Sequence, residues 1–245
     1  MNYKTLGVVV KRQDFSESDR ILTIFTERFG KVKAIAKGVR KISSKLAGSL
    51  EPFMIINLIL YEGKTFYTVT GSVIEKEFPD VHDDLKKMAD AFYIGEMIDK
   101  FEEERQKSGE VFSLLCKTLE ALNKHDEKIV LRIFEVLILK AGGYWGDLST
   151  CIHCRNPLTP TINFWDGEEG GIICEICQKQ FHHGLSISND AIKVLRLIES
   201  DGFKIINRLR VKDEIFEELS RLLSLYTHRI LESDLKSEKF QKEIR

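Results

Sequence analysis

The chain is predicted to be an α+β, multidomain protein: an N-terminal five-stranded barrel, then a helical domain with a cysteine-bearing module inserted into it. Three observations carry this reading. Five short apolar runs fill the first eighty residues, the apolar spacing turns helical from Asp83 onward, and four of the five cysteines fall in two tight pairs between 151 and 177. At 245 residues the chain can bury a real core and divide into two or three modules. It contains no internal repeat and no low-complexity tract.

The five runs are Leu6–Lys11, Ile21–Thr26, Val32–Lys37, Phe53–Leu60 and Thr65–Thr70, each bounded by Gly, Pro, Ser, Asp or charge. Such punctuation marks the short strands of a small antiparallel barrel. Five strands in about eighty residues suit an OB-fold, a Greek-key barrel often used on oligonucleotides. An SH3-like barrel fits the periodicity equally. Gly63-Lys64-Thr65 has the ending of a phosphate loop, but Leu58 stands where the first glycine is required and a strand follows, so the tripeptide reads as a hairpin turn.

Helical spacing begins with Leu85, Met88, Phe92, Ile94, Met97, Ile98 and Phe101, expected along one side of a first helix. Cys116, in Val111–Cys116, falls in an amphipathic helical run and is expected to be a core thiol. Ile129, Val130, Ile133, Phe134, Val136 and Leu137 predict a broadly apolar helix ending at Gly142-Gly143. Two more helices are expected over Asn189–Ser200 and Asp213–Ser233, the latter with Ile215, Leu219, Leu222, Leu223, Tyr226 and Ile230 inward. The tail from Lys236 has little to bury and is expected to fray. The predicted domains are therefore 1–80 (barrel), 81–147 (helical, first part), 148–184 (metal module), 185–233 (helical, second part) and 234–245 (charged tail).

Cys151-Ile152-His153-Cys154 and Cys174-Glu175-Ile176-Cys177 carry the strongest chemical signal, with nineteen residues between the pairs. Two thiolates two residues apart let one backbone turn aim both sulfurs at one cation. Two such turns complete the tetrahedral sulfur shell that zinc prefers and that closes the metal to substrate. Between them, Thr161–Trp165 reads as a strand, Asp166–Gly171 as a turn and Ile172–Cys174 as the returning strand, a zinc-ribbon-like hairpin with metal in place of a core. One structural Zn2+ on Cys151, Cys154, Cys174 and Cys177 is expected. Disulfides and a redox dithiol are the alternatives, as is a deaminase-type catalytic zinc, which would need His-x-Glu and Pro-Cys-x-x-Cys; Ile173 precedes Cys174 instead. His153, His182 and His183 could each replace a sulfur, but four thiolates already fill the shell, which leaves them beside the site or on the surface. No apolar stretch is as long as a membrane span and Met1–Lys4 does not open a secretory signal, so an intracellular chain without a membrane partner is expected, where disulfides rarely persist.

Net charge is −1, yet residues 1–50 hold eleven Lys/Arg against four Asp/Glu, a local +7 against −8 for the rest. That asymmetry points to a polyanion at one end of the chain. Its centre is Lys31–Lys45, which carries Lys31, Lys33, Lys37, Arg40, Lys41 and Lys45 and no acidic residue. Lys33 and Lys37 alternate with Ala34 and Ala36, sharing one face of a strand that opens into a basic loop able to follow phosphates. A solvated strand edge protected by lysines is the bland alternative. Phe29, Phe66 or Tyr67 offer rings for base stacking, although aromatics at strand spacing are more often core.

Phe15-Ser16-Glu17-Ser18-Asp19-Arg20, Ile24-Phe25-Thr26, Gly30-Lys31-Val32, Ala36-Lys37-Gly38-Val39-Arg40-Lys41 and Gly48-Ser49-Leu50-Glu51-Pro52-Phe53 form an ordered set. With Arg132-Ile133-Phe134-Glu135, Gly143-Tyr144 and the cysteine quartet, this set closely resembles bacterial RecO, the recombination mediator family of DNA repair, over most of the chain. The resemblance implies an N-terminal OB-fold, a helical C-terminal domain with an inserted zinc module, and binding of single- and double-stranded DNA. It also implies strand annealing, work with RecR, and help for RecA in replacing single-strand-binding protein (SSB), in the cytoplasm at the nucleoid. The positions matching the family's DNA-binding cations are Arg20, Lys33, Lys37, Arg40, Lys41 and Lys45. Arg132 matches an arginine that receives the acidic, phenylalanine-ended SSB tail; as a sequence feature alone it reads equally as a helix-surface arginine. The chain departs from the pattern at Gly142-Gly143-Tyr144-Trp145-Gly146.

No Ser-His-Asp nucleophile elbow and no nuclease-type carboxylate cluster stands out, so no catalytic residue and no enzymatic activity is expected. The alternative function is a zinc-ribbon scaffold for protein contacts, without direct nucleic-acid binding.

Overall fold

The computed structural model describes residues 1–244; Arg245, the last residue of the expected charged tail, lies outside them. The chain divides into two compact units, one of Met1–Lys124 with the segment from Leu235, the other of His125–Asp234.

In the first unit β1 (Asn2–Asp14), β2 (Arg20–Thr26), β3 (Gly30–Ala36), β4 (Ile55–Tyr61) and β5 (Tyr67–Lys76) close a barrel in the order β1-β2-β3-β5-β4. The long β1 serves two neighbours, pairing its first half with β4 and its second half with β2 across an irregularity between Val9 and Lys11. A short parallel pairing of β3 with β5, Ala34 opposite Tyr67 and Ile35 opposite Thr68, completes the ring. Alternation drives the closure: Leu22, Ile24, Val32, Ala34, Ile56, Leu58, Leu60 and Val69 all point into one buried cluster. All five apolar runs become strands, with ends shifted by a few residues: β1 extends its run at both ends, while β4 and β5 begin two residues later than theirs. Gly30 turns β2 into β3 at φ +63°, and a Cβ there would lie 1.8 Å from the Gln106 carbonyl oxygen, so only glycine fits.

Phe53 stands two residues before β4. It is fully buried, donates its N–H to the Val9 carbonyl at 3.1 Å and meets the Phe92 ring edge-on at 5.1 Å, all from a left-handed backbone (φ +62°). A phenylalanine holds that disfavoured conformation because burial of the ring outweighs a cost of roughly 1–3 kcal/mol. The Gly48–Phe53 motif thus has a packing role.

Helices α1 (Pro79–Asp83), α2 (Leu85–Phe101) and α3 (Gly109–Lys124) belong to this unit. Asp84 caps α2 through hydrogen bonds from the Lys86 and Lys87 backbone N–H groups. The expected single apolar side of α2 is too narrow a description. Ile94, Met97 and Ile98 are buried, but so are Ala89, Ala91, Tyr93 and Gly95, because β1, α1, α3 and a C-terminal helix all pack on α2. Leu85, expected inside, is 60 % exposed at the first turn, beyond the reach of those neighbours.

The tail also differs from expectation. Instead of fraying, Lys236–Ile244 forms a helix, the last of the chain, against α2. Glu96 of α2 supplies the cause, accepting the Lys236 and Ser237 backbone N–H groups and the Ser237 hydroxyl. A carboxylate at a helix N-terminus satisfies orphan donors and matches the helix dipole. Phe240 then meets Phe92 edge-on at 6.4 Å.

The second unit contains α4 (Glu127–Ala141), β6 (Asn163–Asp166), β7 (Gly171–Cys174), α5 (Glu175–Phe181), β8 (Leu185–Ile187), α6 (Asn189–Asp201) and α7 (Asp213–Leu231), after which the tail helix is α8. Asp126 caps α4 and Ser188 caps α6, each through a side-chain oxygen accepting a backbone N–H. α4, α6 and α7 pack on one another, and α7 buries Leu219, Leu222, Leu223 and Tyr226 as its spacing predicts. The hairpin β6–β7 forms as expected, with Asn163 opposite Cys174 and Asp166 opposite Gly171. β8 adds a third strand on the other side of β6. Trp165 anchors the hairpin, fully buried between Trp145 at 5.3 Å and Tyr226 at 5.5 Å. The glycine-rich Gly142–Gly146 segment fits against this hairpin: Gly146 donates to the Gly170 carbonyl, and the Tyr144 carbonyl accepts the Tyr226 hydroxyl. Among the described residues no helix is long and apolar enough to cross a membrane.

Candidate metal centre and basic surface

The first cysteine pair sits on a knuckle that its own backbone closes. Cys151 donates to the Asn156 carbonyl at 2.9 Å, and Arg155 donates back to the Cys151 carbonyl at 2.9 Å from a left-handed conformation. The second pair spans the end of β7 and the first turn of α5, which places Cys174 and Cys177 one helical turn apart. The hairpin brings the two turns together, so the four sulfurs lie within 4.8 Å of one another.

The Cys154 and Cys174 sulfurs are 3.8 Å apart, and all five cysteines are unbridged. A disulfide needs about 2.05 Å. Four thiolates around zinc at Zn–S ≈ 2.3 Å stand about 3.8 Å from one another, so this spacing fits a tetrahedral cation site. Ionisation of the cluster fits as well. Burial opposes the Cys151 thiolate, yet backbone N–H groups of Cys174, Cys154 and His153 outweigh it and bring its pKa down to about 6. Burial and then the neighbouring sulfurs push Cys177 up to about 12. One sulfur is ready to ionise while another is penalised by its neighbours; a divalent cation removes that conflict for all four. Cys116, on α3, is pushed up to about 12 chiefly by burial and behaves as a packing thiol.

The histidines diverge from the sulfur shell. His182 ends α5 at φ +57°, and its N–H donates to the Gln178 carbonyl. His153 and His183 both turn toward Asp166 at the far end of β6, each with a ring nitrogen 3.6 Å from its Oδ2.

The basic surface is built by two turns stitched together. Phe15 and Ser16 donate to the Asp19 carbonyl, closing the β1–β2 turn. Gly38 N–H then donates to Asp19 Oδ1 at 2.8 Å and Arg40 N–H to the Ser18 carbonyl at 3.0 Å. The Gly38 N–H, with help from the Ser18 hydroxyl, holds the Asp19 carboxyl below its usual range. Gly38 takes φ +64°, so the loop after β3 reverses over the β1–β2 turn.

The six expected DNA-binding cations fall into three sets. Arg20 and Arg40 join a network with Arg12, which sequence reading did not single out. Arg20 bonds Asp14 at 3.0 Å, Arg40 approaches Asp14 at 3.4 Å, and Arg12 pairs with Glu51. Three guanidinium groups on two carboxylates keep a positive excess in fixed positions, and Arg20, foremost through its hydrogen bond, lowers the Asp14 pKa. Lys37, Lys41 and Lys45 are exposed on the loop beyond, and no ion pair among the described residues involves them. Lys33 lies on the exposed face of β3 but is paired to Glu104; Lys37, expected on the same strand face, falls one residue past the end of β3. Lys31 leaves the patch altogether: it is buried, donating to the Asp99 carbonyl with its ammonium 3.2 Å from the Asp99 carboxylate. The segment that follows α2 covers the start of β3, which the strand's own pattern cannot reveal.

Of the proposed stacking rings, Phe29 and Tyr67 pack against each other and onto the barrel core, and Phe66 is half-buried. The exposed aromatic beside the arginines is Phe15, 57 % accessible at the tip of the β1–β2 turn. An apolar residue on a turn otherwise made of Ser, Glu and Asp was the available signal.

Arg132 occupies α4 among Ile129, Ile133 and Val136, all buried. It is itself 9 % exposed and not a surface arginine. Nη2 donates to Glu135 Oε1 at 2.6 Å, while Nη1 is buried with no hydrogen-bond partner among the described residues.

Comparison with known proteins covers both units. Residues 1–78 match the family model described as recombination protein O N terminal, and residues 82–239 that described as recombination protein O C terminal. The chain is 35 % identical to the DNA repair protein RecO of Dehalococcoides mccartyi over 237 residues, 96 % of this chain and 93 % of the relative. It is 34 % identical to that of a Roseiflexus species over 99 % of this chain and 86 % of the relative. Identity to that of Caldanaerobacter subterraneus is 29 %, over 97 % and 96 %.

Proposed function

The chain belongs to the recombination protein O family, and from that premise we propose that it is a non-enzymatic DNA-binding mediator of recombinational repair. The barrel, read as an OB-fold, binds single- and double-stranded DNA and anneals complementary strands. With RecR the protein helps RecA replace SSB on gapped DNA, in the cytoplasm at the nucleoid. The observation that carries the DNA reading is the loop after β3, where Lys37, Lys41 and Lys45 stand exposed beside the arginine network and Phe15. Cations exposed along a surface loop neutralise phosphates without reading bases, and an adjacent exposed ring gives unstacked bases a platform.

The cysteine quartet holds one structural Zn2+ in a zinc-ribbon-like module. With four thiolates the shell is complete, so the metal supplies folding energy and has no open position for chemistry. The SSB tail docks at Arg132, as the family resemblance implies: Nη1 has no hydrogen-bond partner among the described residues and could bond a terminal carboxylate, but it is buried together with Ile133 and Val136, so docking requires the side chains over α4 to move aside.

Binding of labelled single-stranded and duplex DNA across a salt series tests the central reading. Affinity should fall steeply with salt and vary little with sequence. Absence of binding at low salt would leave a zinc-bearing protein-contact scaffold as the function.

A further inference from the structure

We infer that His153, Asp166 and His183 form a second metal site, distinct from the cysteine quartet and suited to an exchangeable divalent transition metal. One ligand atom from each residue lies within 4.8 Å of the other two. His153 Nε2 and His183 Nδ1 both stand 3.6 Å from the same oxygen, Asp166 Oδ2. That distance is too long for an N–H···O hydrogen bond, which closes at 2.7–3.2 Å. It is close to the separation of about 3.4 Å between nitrogen and oxygen ligands that share a tetrahedral zinc at 2.0–2.2 Å.

Burial makes the arrangement costly without a cation. Asp166 is 1 % exposed, and His153 Nε2 is buried with no hydrogen-bond partner among the described residues. A buried ring nitrogen and a buried carboxylate oxygen that face each other without bonding both lose their solvation. An ion between them restores it. The orientation is already set by outer partners. Asp166 Oδ1 accepts the Glu168 and Glu169 backbone N–H groups at 2.6 and 3.1 Å, leaving Oδ2 for the rings, and His153 lies against Phe181 at 4.6 Å. Such supporting groups are what fix first ligands in metal sites.

The site is separate from the quartet although one knuckle feeds both. Cys174 pairs with Asn163 at one end of β6, and Asp166 pairs with Gly171 at the other. Cys151 and Cys154 therefore serve the first site while His153, between them in sequence, reaches the second. Two imidazoles and one carboxylate select zinc, cobalt, nickel or copper over magnesium or calcium, which take oxygen ligands. Three protein ligands leave coordination open. A cavity of about 400 Å³, lined by Asp166, His183, Tyr226 and Arg229 among others, opens on that side, so the ion exchanges with solvent and takes water or a small anion as its remaining ligand.

The test uses the full chain, Zn2+ and Co2+. Calorimetric titration with Zn2+ should reveal a second, weaker equivalent. His183→Ala, on a half-exposed residue outside both cysteine turns, should weaken that equivalent by more than roughly 100-fold, beyond what removing an outer partner costs. Cobalt in the His183→Ala protein should keep its sulfur-to-metal absorption unchanged and lose only the sulfur-free band. A single equivalent at saturating Zn2+, retained in His183→Ala, overturns the inference and leaves the quartet reading standing. Loss of the sulfur-to-metal absorption in that variant also overturns it, since His183 would then belong to the quartet. A single equivalent that His183→Ala abolishes, with no cobalt–thiolate absorption, supports the inference and sinks the quartet reading instead.

Discussion

Asp19 Oδ1 accepts the backbone N–H of Gly38 at 2.8 Å, tying the β1–β2 turn to the basic loop that follows β3. Replacing Asp19 with alanine removes a negative charge beside the cationic patch, which by Coulomb attraction alone would strengthen DNA binding. It also releases the loop. The expected outcome is faster hydrogen exchange at the Gly38 amide and weaker DNA binding. Tighter binding by Asp19→Ala would mean that loop order contributes nothing.

The loop lysines should set the salt dependence. Replacing Lys37, Lys41 and Lys45 together with alanine should flatten the log–log salt slope. Each phosphate no longer neutralised should lower it by about 0.7 on single strands and about 0.9 on duplex. Lys33→Ala should change the slope less, because Glu104 already pairs with that ammonium. A triple variant that binds and anneals like the parent places the DNA site elsewhere.

Metal loss should act on the cysteine module. Cys174→Ser leaves three thiolates, and the small apolar cluster of Ile152, Ile173, Leu158 and Phe164 is built around those same cysteines, so zinc content should fall and the thermal transition of the second unit should move down. Metal analysis and calorimetry check both, and an unchanged melting temperature after zinc loss would deny the ion a structural role.

Arg132 and Glu135 make opposite predictions for an SSB-tail peptide. Arg132→Ala should weaken its binding severely and Arg132→Lys restore it only in part, since an ammonium cannot form two parallel bonds to a carboxylate. Glu135→Gln removes the competing charge at 2.6 Å and should tighten binding. Bare DNA should bind all three variants normally. Peptide binding indifferent to both residues would remove the site from α4.

Docking of α8 should depend on pH through Glu96. Partial burial works against its charged form, but the Ser237 hydroxyl and the Ser237 and Lys236 N–H groups outweigh it and hold the pKa below the usual glutamate range. A group depressed in the folded state contributes stability that is complete above the unfolded value, about 4.3 for glutamate, and lost as pH falls through the folded value. Amide exchange over 236–244 should therefore accelerate as pH drops from that unfolded value through the lower folded one, after correction for its intrinsic pH dependence. Glu96→Gln should show that loosening already at neutral pH.

The sequence alone determined what depends on local repetition. Strand runs with period two became the five strands of the barrel, helical spacing placed α4, α6 and α7, and paired CxxC turns brought four sulfurs within 4.8 Å. In each case neighbouring residues dictate backbone geometry and side-chain direction, so the signal survives without knowledge of partners. The arginine at 132 was legible as a candidate, and even its i,i+3 partner Glu135 was within view, but its burial was not. Only the tertiary structure decided which cations are free. Lys31 and Lys33 look identical in the strand pattern, yet Asp99, sixty-eight residues on, removes the first, and Glu104 pairs with the second. The same holds for Glu96, which turns a charged tail into a docked helix across 141 residues, and for Asp166, a turn residue in sequence that gathers two histidines. A charge's environment is set by whatever the chain folds beside it, and no local period encodes that.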